Sequence, residues 1–246
     1  MILKDSAIVL RMTPFGNTSR VVVWLSSSFG KLATLVKGSQ REKSPFLGQY
    51  DLFYTCELLF YAREHRNLHI LKECTPLEMR SAFRTDWRAC AAASYVAGVL
   101  DRVMPFGPAS PQLYLLLEEM LDQLAGRTPG PAFLPRFELL LLQELGFAPG
   151  WDACSKCRND LRAAVPARLD LAQGVLLCES CAAGKGIPLS ARALQALRWM
   201  RDGNLPPSLP ERVFHEVRGV TGGLLEYHAE FSPASRQIAF QVLSAG

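Results

Sequence analysis

The chain has 246 residues, of which 49% are apolar and 20% are charged, with 27 Lys/Arg against 23 Asp/Glu. This length predicts one large or two modest folded domains. No apolar run approaches the roughly 18 residues that a membrane-spanning helix needs, and residues 1–5 lack the charged-then-apolar plan of a secretory signal. We therefore expect a cytoplasmic protein with reduced thiols and no membrane partner.

The first 76 residues predict β-strands. Val, Leu, Ile, Phe and Tyr are concentrated in five segments separated by turn residues, namely 7–12, 20–25, 32–37, 52–61 and 68–74. Five short strands without a helical pattern indicate a small closed sheet, and an OB-type barrel is the expected fold, with an SH3-like barrel as the alternative. The longer gap at 38–49 fits the OB pattern, in which an extra element links the third and fourth strands.

Helical periodicity follows. Six apolar residues between 113 and 124 fall on one helical face, and residues 80–103 and 137–145 are also helical in character. Ser190 is an N-cap candidate for a helix that runs to Arg201, and valines spaced from 213 to 220 indicate a further helix. The expected class is α+β, with an OB domain at 1–78 and a helical domain at 79–246.

Four cysteines interrupt the helical part in two knuckles, Cys154-x-x-Cys157 and Cys178-x-x-Cys181. This spacing is typical of one structural zinc ion held by four thiolates on a hairpin at about 151–186. Two disulfides or four free thiols are the alternatives. A catalytic zinc is disfavoured because four protein ligands leave no position for water. Cys56, Cys74 and Cys90 lie in apolar patterns and are expected to be buried thiols.

Basic residues accumulate in the predicted barrel, where residues 1–80 hold eleven Lys/Arg against seven Asp/Glu. They occur in and after the third strand and beside the first and last hairpins, at Arg11, Arg20, Lys31, Lys37, Arg41, Lys43, Arg63 and Arg66. An OB barrel binds single strands through a basic groove and aromatic platforms. Phe15, Phe29 and Phe46 lie in predicted loops and are the stacking candidates. No nucleotide-binding loop or nucleophile motif is present, so no enzyme is predicted.

The order of these features resembles the RecO family of bacterial recombinational DNA repair proteins. The resemblance lies in Gly30-Lys31-Leu32 leading to Val36-Lys37-Gly38, and in the helix from Phe137 to Phe147 that directly precedes the cysteine hairpin. It covers essentially the whole chain. Some members of the family lack the four cysteines, and this chain keeps them.

The resemblance implies a function and a set of partners. RecO proteins bind single- and double-stranded DNA, anneal complementary strands and, with RecR and in many bacteria RecF, help to load RecA on DNA coated by single-strand-binding protein (SSB). They also bind the acidic C-terminal tail of SSB, and the position implicated there corresponds to Arg136. The residues alone leave two other classes open: an RNA-binding OB protein with a structural zinc, and a zinc hydrolase or nuclease.

Overall fold

The structure, a computed structural model, describes residues 1–63, 67–126, 130–163, 165–204, 208–229 and 233–244. The chain divides into two compact units, Met1–Thr128 and Pro129–Gly246. Within the described ranges, no helix combines the length and apolar character needed to cross a membrane.

The first unit begins with five strands: β1 (Ile2–Phe15), β2 (Ser19–Ser26), β3 (Gly30–Val36), β4 (Thr55–Tyr61) and β5 (Leu68–Glu78). They form a closed barrel in the order β1-β2-β3-β5-β4, in which β3 and β5 are parallel and the other neighbours antiparallel. This is the topology of an OB barrel, so the predicted fold class is confirmed and the SH3-like alternative is wrong. The segment between β3 and β4 consists of turns.

The barrel interior is filled by alternate residues of the strands, as the period of two requires. Trp24, Leu58 and Phe60 are among its largest buried side chains, and the indole N–H of Trp24 donates to the hydroxyl of Thr34 at 2.9 Å. The polar end of the buried indole is thereby satisfied, which avoids the cost of burying an unpaired donor.

Two helices of the first unit follow a short 3-10 turn at Ser81–Arg84: α1 (Trp87–Val103) and α2 (Pro111–Gly126). The Asp86 side chain caps α1 by accepting from the backbone N–H groups of residues 88 and 89. Buried Arg80 joins helix to barrel, since it donates to the carboxylate of Asp122 at 2.7 Å and to the carbonyl of Phe53 at 2.8 Å. The first compact unit therefore contains α1 and α2 as well as the barrel. The predicted boundary at residue 78 coincides with the end of β5, where strands give way to helices.

The second unit is helical apart from one small sheet. Its helices are α3 (Phe133–Glu144), α4 (Glu179–Ala182), α5 (Ala191–Arg201), α6 (Glu211–Ala229) and α7 (Pro233–Ser244). Its strands, β6 (Ala167–Asp170), β7 (Val175–Cys178) and β8 (Ile187–Leu189), pair antiparallel in the order β7-β6-β8. The Ser190 hydroxyl accepts from the N–H of Ala193, which confirms the predicted cap of α5.

Candidate nucleic-acid interface and metal centre

The four cysteines of the two knuckles come together in the second unit. Their Sγ atoms all lie within 4.8 Å of one another, and the sulfurs of Cys157 and Cys178 are 3.7 Å apart. Four sulfurs about 2.3 Å from one zinc ion stand about 3.8 Å apart along each edge of the tetrahedron. Each cysteine is a free thiol. The cluster therefore has the dimensions of a tetrahedral metal site.

Backbone geometry holds the first knuckle in its ligating shape. The N–H of Cys154 donates to the carbonyl of Asn159, and the N–H of Arg158 returns to the carbonyl of Cys154, both at 2.9 Å. Arg158 closes the turn with a φ of 62°. The N–H of Ser155 donates to the carbonyl of Leu176 on β7 at 2.8 Å. The two knuckles are thus brought face to face by main-chain contacts.

The electrostatics of the cluster favour a cation. Burial alone would raise the pKa of the Cys154 thiol, but backbone N–H groups of Cys157, Cys178 and Lys156 donate to its sulfur and lower the pKa to about 6. In contrast, hydrogen bonds with Cys157 and Cys178 raise the pKa of Cys181 to about 12. The backbone donors thus favour the thiolate form of Cys154. Four thiolates in such a small volume require a compensating positive charge, which a divalent ion supplies.

Arginines of α5 fasten the first knuckle to the helices. The Arg198 guanidinium donates to the carbonyls of Trp151, at 2.8 Å, and Leu161, at 2.7 Å. Arg201 pairs with the carboxylate of Asp152 at 2.7 Å. These contacts flank the first knuckle in sequence on both sides, so an ion held by the cluster would tie the hairpin to the helical unit. Nothing in the spacing of the cysteines indicates these arginines.

Four of the predicted basic residues lie together at one end of the barrel. The backbone N–H of Gln40 donates to the carbonyl of Thr18 at 2.9 Å, and that of Gly38 donates to the hydroxyl of Ser19 at 3.1 Å. These bonds hold the loop after β3 against the β1–β2 turn. We call the group formed there the basic end, and it consists of Phe15, Arg20, Lys37, Arg41 and Lys43.

The basic end presents uncompensated charge. Lys37, Arg41 and Lys43 are exposed and Arg20 is half-buried, and none of the four forms an ion pair with a described residue. Phe15 is 52% exposed beside them. An exposed ring among free cations has the composition of a surface that binds single-stranded nucleic acid.

The remaining barrel cations are placed differently. Lys31 is buried: its ammonium pairs with the carboxylate of Asp101 at 2.9 Å, donates to the carbonyl of Met104 at 3.1 Å and lies over the ring of Phe106. Because its ammonium is buried and paired with Asp101, we leave Lys31 out of the proposed interface. Arg11 is half-exposed and also pairs with Asp101, at 2.8 Å. Arg63 is exposed after β4, and Arg66 lies outside the described residues.

Two further predicted positions lie deeper than their sequence context indicated. Phe46 is only partly exposed and packs against the barrel core, so it acts as a core residue. Arg136, on α3, is 4% exposed.

Glu138, two residues after Arg136 on α3, is fully buried. It accepts two hydrogen bonds from Arg236 of α7, at 2.6 and 2.7 Å, as well as one from the Thr221 hydroxyl. Arg236 is 98 residues away in sequence, which is why the local pattern did not reveal it.

Comparisons with known proteins agree with these features. The family model described as Recombination protein O N terminal matches residues 1–80, and the one described as Recombination protein O C terminal matches residues 84–237. A DNA repair protein RecO of Anaeromyxobacter sp. (strain K) is 29% identical over 246 residues, covering 98% of this chain and 96% of that protein. The DNA repair protein RecO of Myxococcus xanthus is 28% identical, with 91% of each chain covered. The chain belongs to the RecO family of DNA repair proteins.

Proposed function

We propose that this protein is a recombination mediator that binds single- and double-stranded DNA, anneals complementary strands and acts without enzymatic turnover. The observation that carries the proposal is the basic end, in which three exposed cations, the half-buried Arg20 and an exposed phenylalanine lie on an OB barrel, in a chain of the RecO family. Annealing requires no covalent step. A cationic surface reduces the repulsion between two phosphate backbones and releases their condensed counterions.

The proposal extends to partners that the family resemblance implies. With RecR, and with RecF where it is used, the protein would help to load RecA on single strands coated by SSB in the cytoplasm, near the nucleoid. A bound SSB tail would deliver its DNA at high effective concentration. Arg136 is the proposed contact for a tail carboxylate. Because Arg136 is 4% exposed, this contact requires the guanidinium to become accessible when the tail binds.

We further propose one structural zinc ion per chain, held by Cys154, Cys157, Cys178 and Cys181. The donor set supports this assignment, since four thiolates at tetrahedral spacing suit zinc and close its coordination. A closed site offers no position for a metal-bound water, which argues against a zinc hydrolase or nuclease. The ion would contribute folding free energy to the helical unit.

The test is annealing of two complementary oligonucleotides that have been coated with SSB, with and without the protein, over a series of salt concentrations. We expect acceleration that weakens as salt rises and that is lost when the SSB tail is removed. Acceleration that ignores the tail would refute the tail contact alone. Absence of both acceleration and salt-sensitive DNA binding would refute the mediator function, and a preference for RNA would favour an RNA-binding role.

Matched variants show whether the basic end carries the effect. The triple substitution Lys37→Ala, Arg41→Ala and Lys43→Ala removes three exposed cations. It should reduce the slope of log affinity against log salt by up to about 2 for a single strand. The control replaces three exposed cations of the second unit, at Arg162, Lys185 and Arg212, and so makes the same change in net charge. An equal loss in both variants would mean that only net charge matters.

A further inference from the structure

We infer that the first unit contains a pocket for one unpaired nucleobase, with Phe29 as its stacking platform. The inference rests on the proposed binding of nucleic acid and specifies how single strands are distinguished from duplex. The pocket is a cavity of about 500 Å³ that lies between the β2–β3 turn, the start of β5 and the loop joining α1 to α2. A cavity of this size is in the range that holds small planar ligands.

Aromatic rings form one wall of the cavity. Phe29 packs edge-to-face on Phe60, with ring centres 6.0 Å apart, and Phe60 in turn lies 5.4 Å from the imidazole of His69. Phe60 is buried, but Phe29 keeps 38% of its surface exposed toward solvent. A large apolar ring held open beside a cavity offers a face on which a base can stack.

The platform is fixed before any ligand binds. The backbone N–H of Phe29 donates to the hydroxyl of Ser26, and that of Ser28 donates to the carboxylate of Asp5. Gly30 follows with a φ of 67°, and a Cβ at this position would lie 2.2 Å from the carbonyl oxygen of Pro108. Glycine is therefore needed here for the α1–α2 loop to approach and form the opposite wall.

The opposite wall is also fastened to the barrel. The N–H of Gly107 donates to the carbonyl of Lys31 at 3.0 Å, and Phe106 pairs with Lys31 as an isolated parallel bridge. The buried Lys31 ammonium then binds carbonyls at the end of α1. Both sides of the cavity are thus rigid, which limits the entropy lost when a ligand becomes ordered.

The polar groups of the cavity suit the edge of a base. Asn67 supplies an amide that both donates and accepts. The Nδ1 atom of His69 accepts from the backbone N–H of Arg63 at 3.1 Å, which places the ring proton on Nε2. Burial, with a further contribution from the positive charge of Arg63, lowers the pKa of His69, so that the ring is a neutral donor at neutral pH.

The charges of the cavity do not select a phosphate. The described lining contains no carboxylate, and its one cation, Lys31, pairs with Asp101, while Arg63 acts on His69 from outside the lining. A lining with a ring face and an amide matches an uncharged planar heterocycle. We expect the phosphates to bind at the basic end, which begins after Val36, at the C-terminal end of β3. The seven residues of β3 separate the two by roughly 20 Å, a span that one OB-bound strand of several nucleotides covers.

A base enters such a pocket only when it is not paired. A duplex would have to unstack and unpair it first, at a cost of a few kcal/mol. The pocket therefore adds affinity for single strands, while the four cations of the basic end attract both forms. This division gives a direct test, because removing the bases from a strand leaves its phosphates in place.

The experiment compares binding to an oligothymidylate of about 16 nucleotides with binding to an abasic strand of equal length. The wild-type protein should bind the oligothymidylate about 5- to 100-fold more tightly. Phe29→Ala should remove most of this difference by weakening only the oligothymidylate complex, and Phe29→Leu should do the same while preserving packing on Phe60. Melting temperatures check that both variants fold. Trp87→Ala, which removes an exposed ring outside the cavity, is the control and should leave the difference unchanged.

The outcomes separate this inference from the proposed function. If the wild-type protein binds neither strand in a salt-dependent way, binding of DNA itself is refuted, and the pocket with it. If it binds both strands equally, or if Phe29→Ala and Phe29→Leu leave the difference intact, DNA binding stands and the base pocket is refuted. The basic-end triple variant should weaken both complexes by the same factor.

Discussion

Substitution of Cys154 by alanine is the sharpest test of the metal centre. Cys154 is fully buried and its sulfur accepts from three backbone N–H groups, so that alanine removes a ligand whose thiolate form the backbone stabilises. The three remaining thiolates would hold zinc much more weakly. We therefore expect both a loss of bound zinc and a loss of stability in the second unit.

The size of the effect follows from linkage. At a free zinc concentration 1,000 times its dissociation constant, zinc stabilises the folded state by about 4 kcal/mol. A variant whose zinc affinity falls about a thousandfold loses nearly all of this. For a chain of this length, a loss of 1 kcal/mol lowers the melting temperature by about 2–4 °C. The expected decrease is therefore about 8–16 °C.

The measurements are zinc content by elemental analysis and thermal unfolding followed by far-UV circular dichroism, each with added zinc and with chelator. The wild-type melting temperature should rise with zinc and fall with chelator, whereas that of Cys154→Ala should respond to neither. Cys90→Ala, on α1 and outside the cluster, is the control and should keep full zinc content. Unchanged melting of Cys154→Ala with one zinc per chain would refute the reasoning.

Three other predictions concern the buried charges and the thiols. Arg236→Ala should cost about 3–5 kcal/mol in chemical denaturation because it leaves buried Glu138 without its guanidinium, whereas the double variant Glu138→Gln, Arg236→Met should recover most of that loss. Burial would raise the pKa of Asp101, but hydrogen bonds from Arg11 and Lys31 lower it overall; wild-type protein should therefore exceed Asp101→Asn in stability at pH 7, with the advantage disappearing as the pH falls below about 4. Titration of the denatured, chelated protein with a thiol reagent should count all seven cysteines, whereas disulfides would give fewer.

Sequence patterns predicted the parts of this fold that depend on local periodicity. The alternation of apolar residues located all five barrel strands, and the 3.6-residue spacing located α2, because both patterns are set by which face is buried. The cysteine spacing predicted the cluster since zinc ligands follow a fixed geometry. Local signals also placed the cap at Ser190. In each case the structural cause acts within a few residues of the position predicted.

Contacts between distant segments were not predictable in this way. Lys31 has the sequence context of an exposed strand cation, yet its ammonium is buried and pairs with Asp101, 70 residues later. A distant partner of Glu138 is Arg236 on α7. The apolar pattern of this helix is weak, and only Ala239 and Phe240 of its described side chains are buried. The cavity beside Phe29 is formed by three segments that no periodicity connects. A single sequence carries the identity of these residues but not their pairing.

The proposed metal site and the proposed DNA-binding sites lie in different compact units, and this makes their failures separable. The four proposed zinc ligands all belong to the second unit, whose folding the ion would support, while the basic end and the Phe29 cavity belong to the first. Removing the metal should therefore lower the stability of the second unit while leaving the barrel's DNA contacts chemically unchanged. Annealing needs two strands held near each other, whereas binding needs only one. A chain that has lost its zinc and whose helical unit unfolds should therefore still bind one oligonucleotide in a salt-sensitive way, even where it no longer anneals. If chelation abolished both annealing and the binding of a single oligonucleotide, the barrel's DNA contacts would instead depend on the folded helical unit.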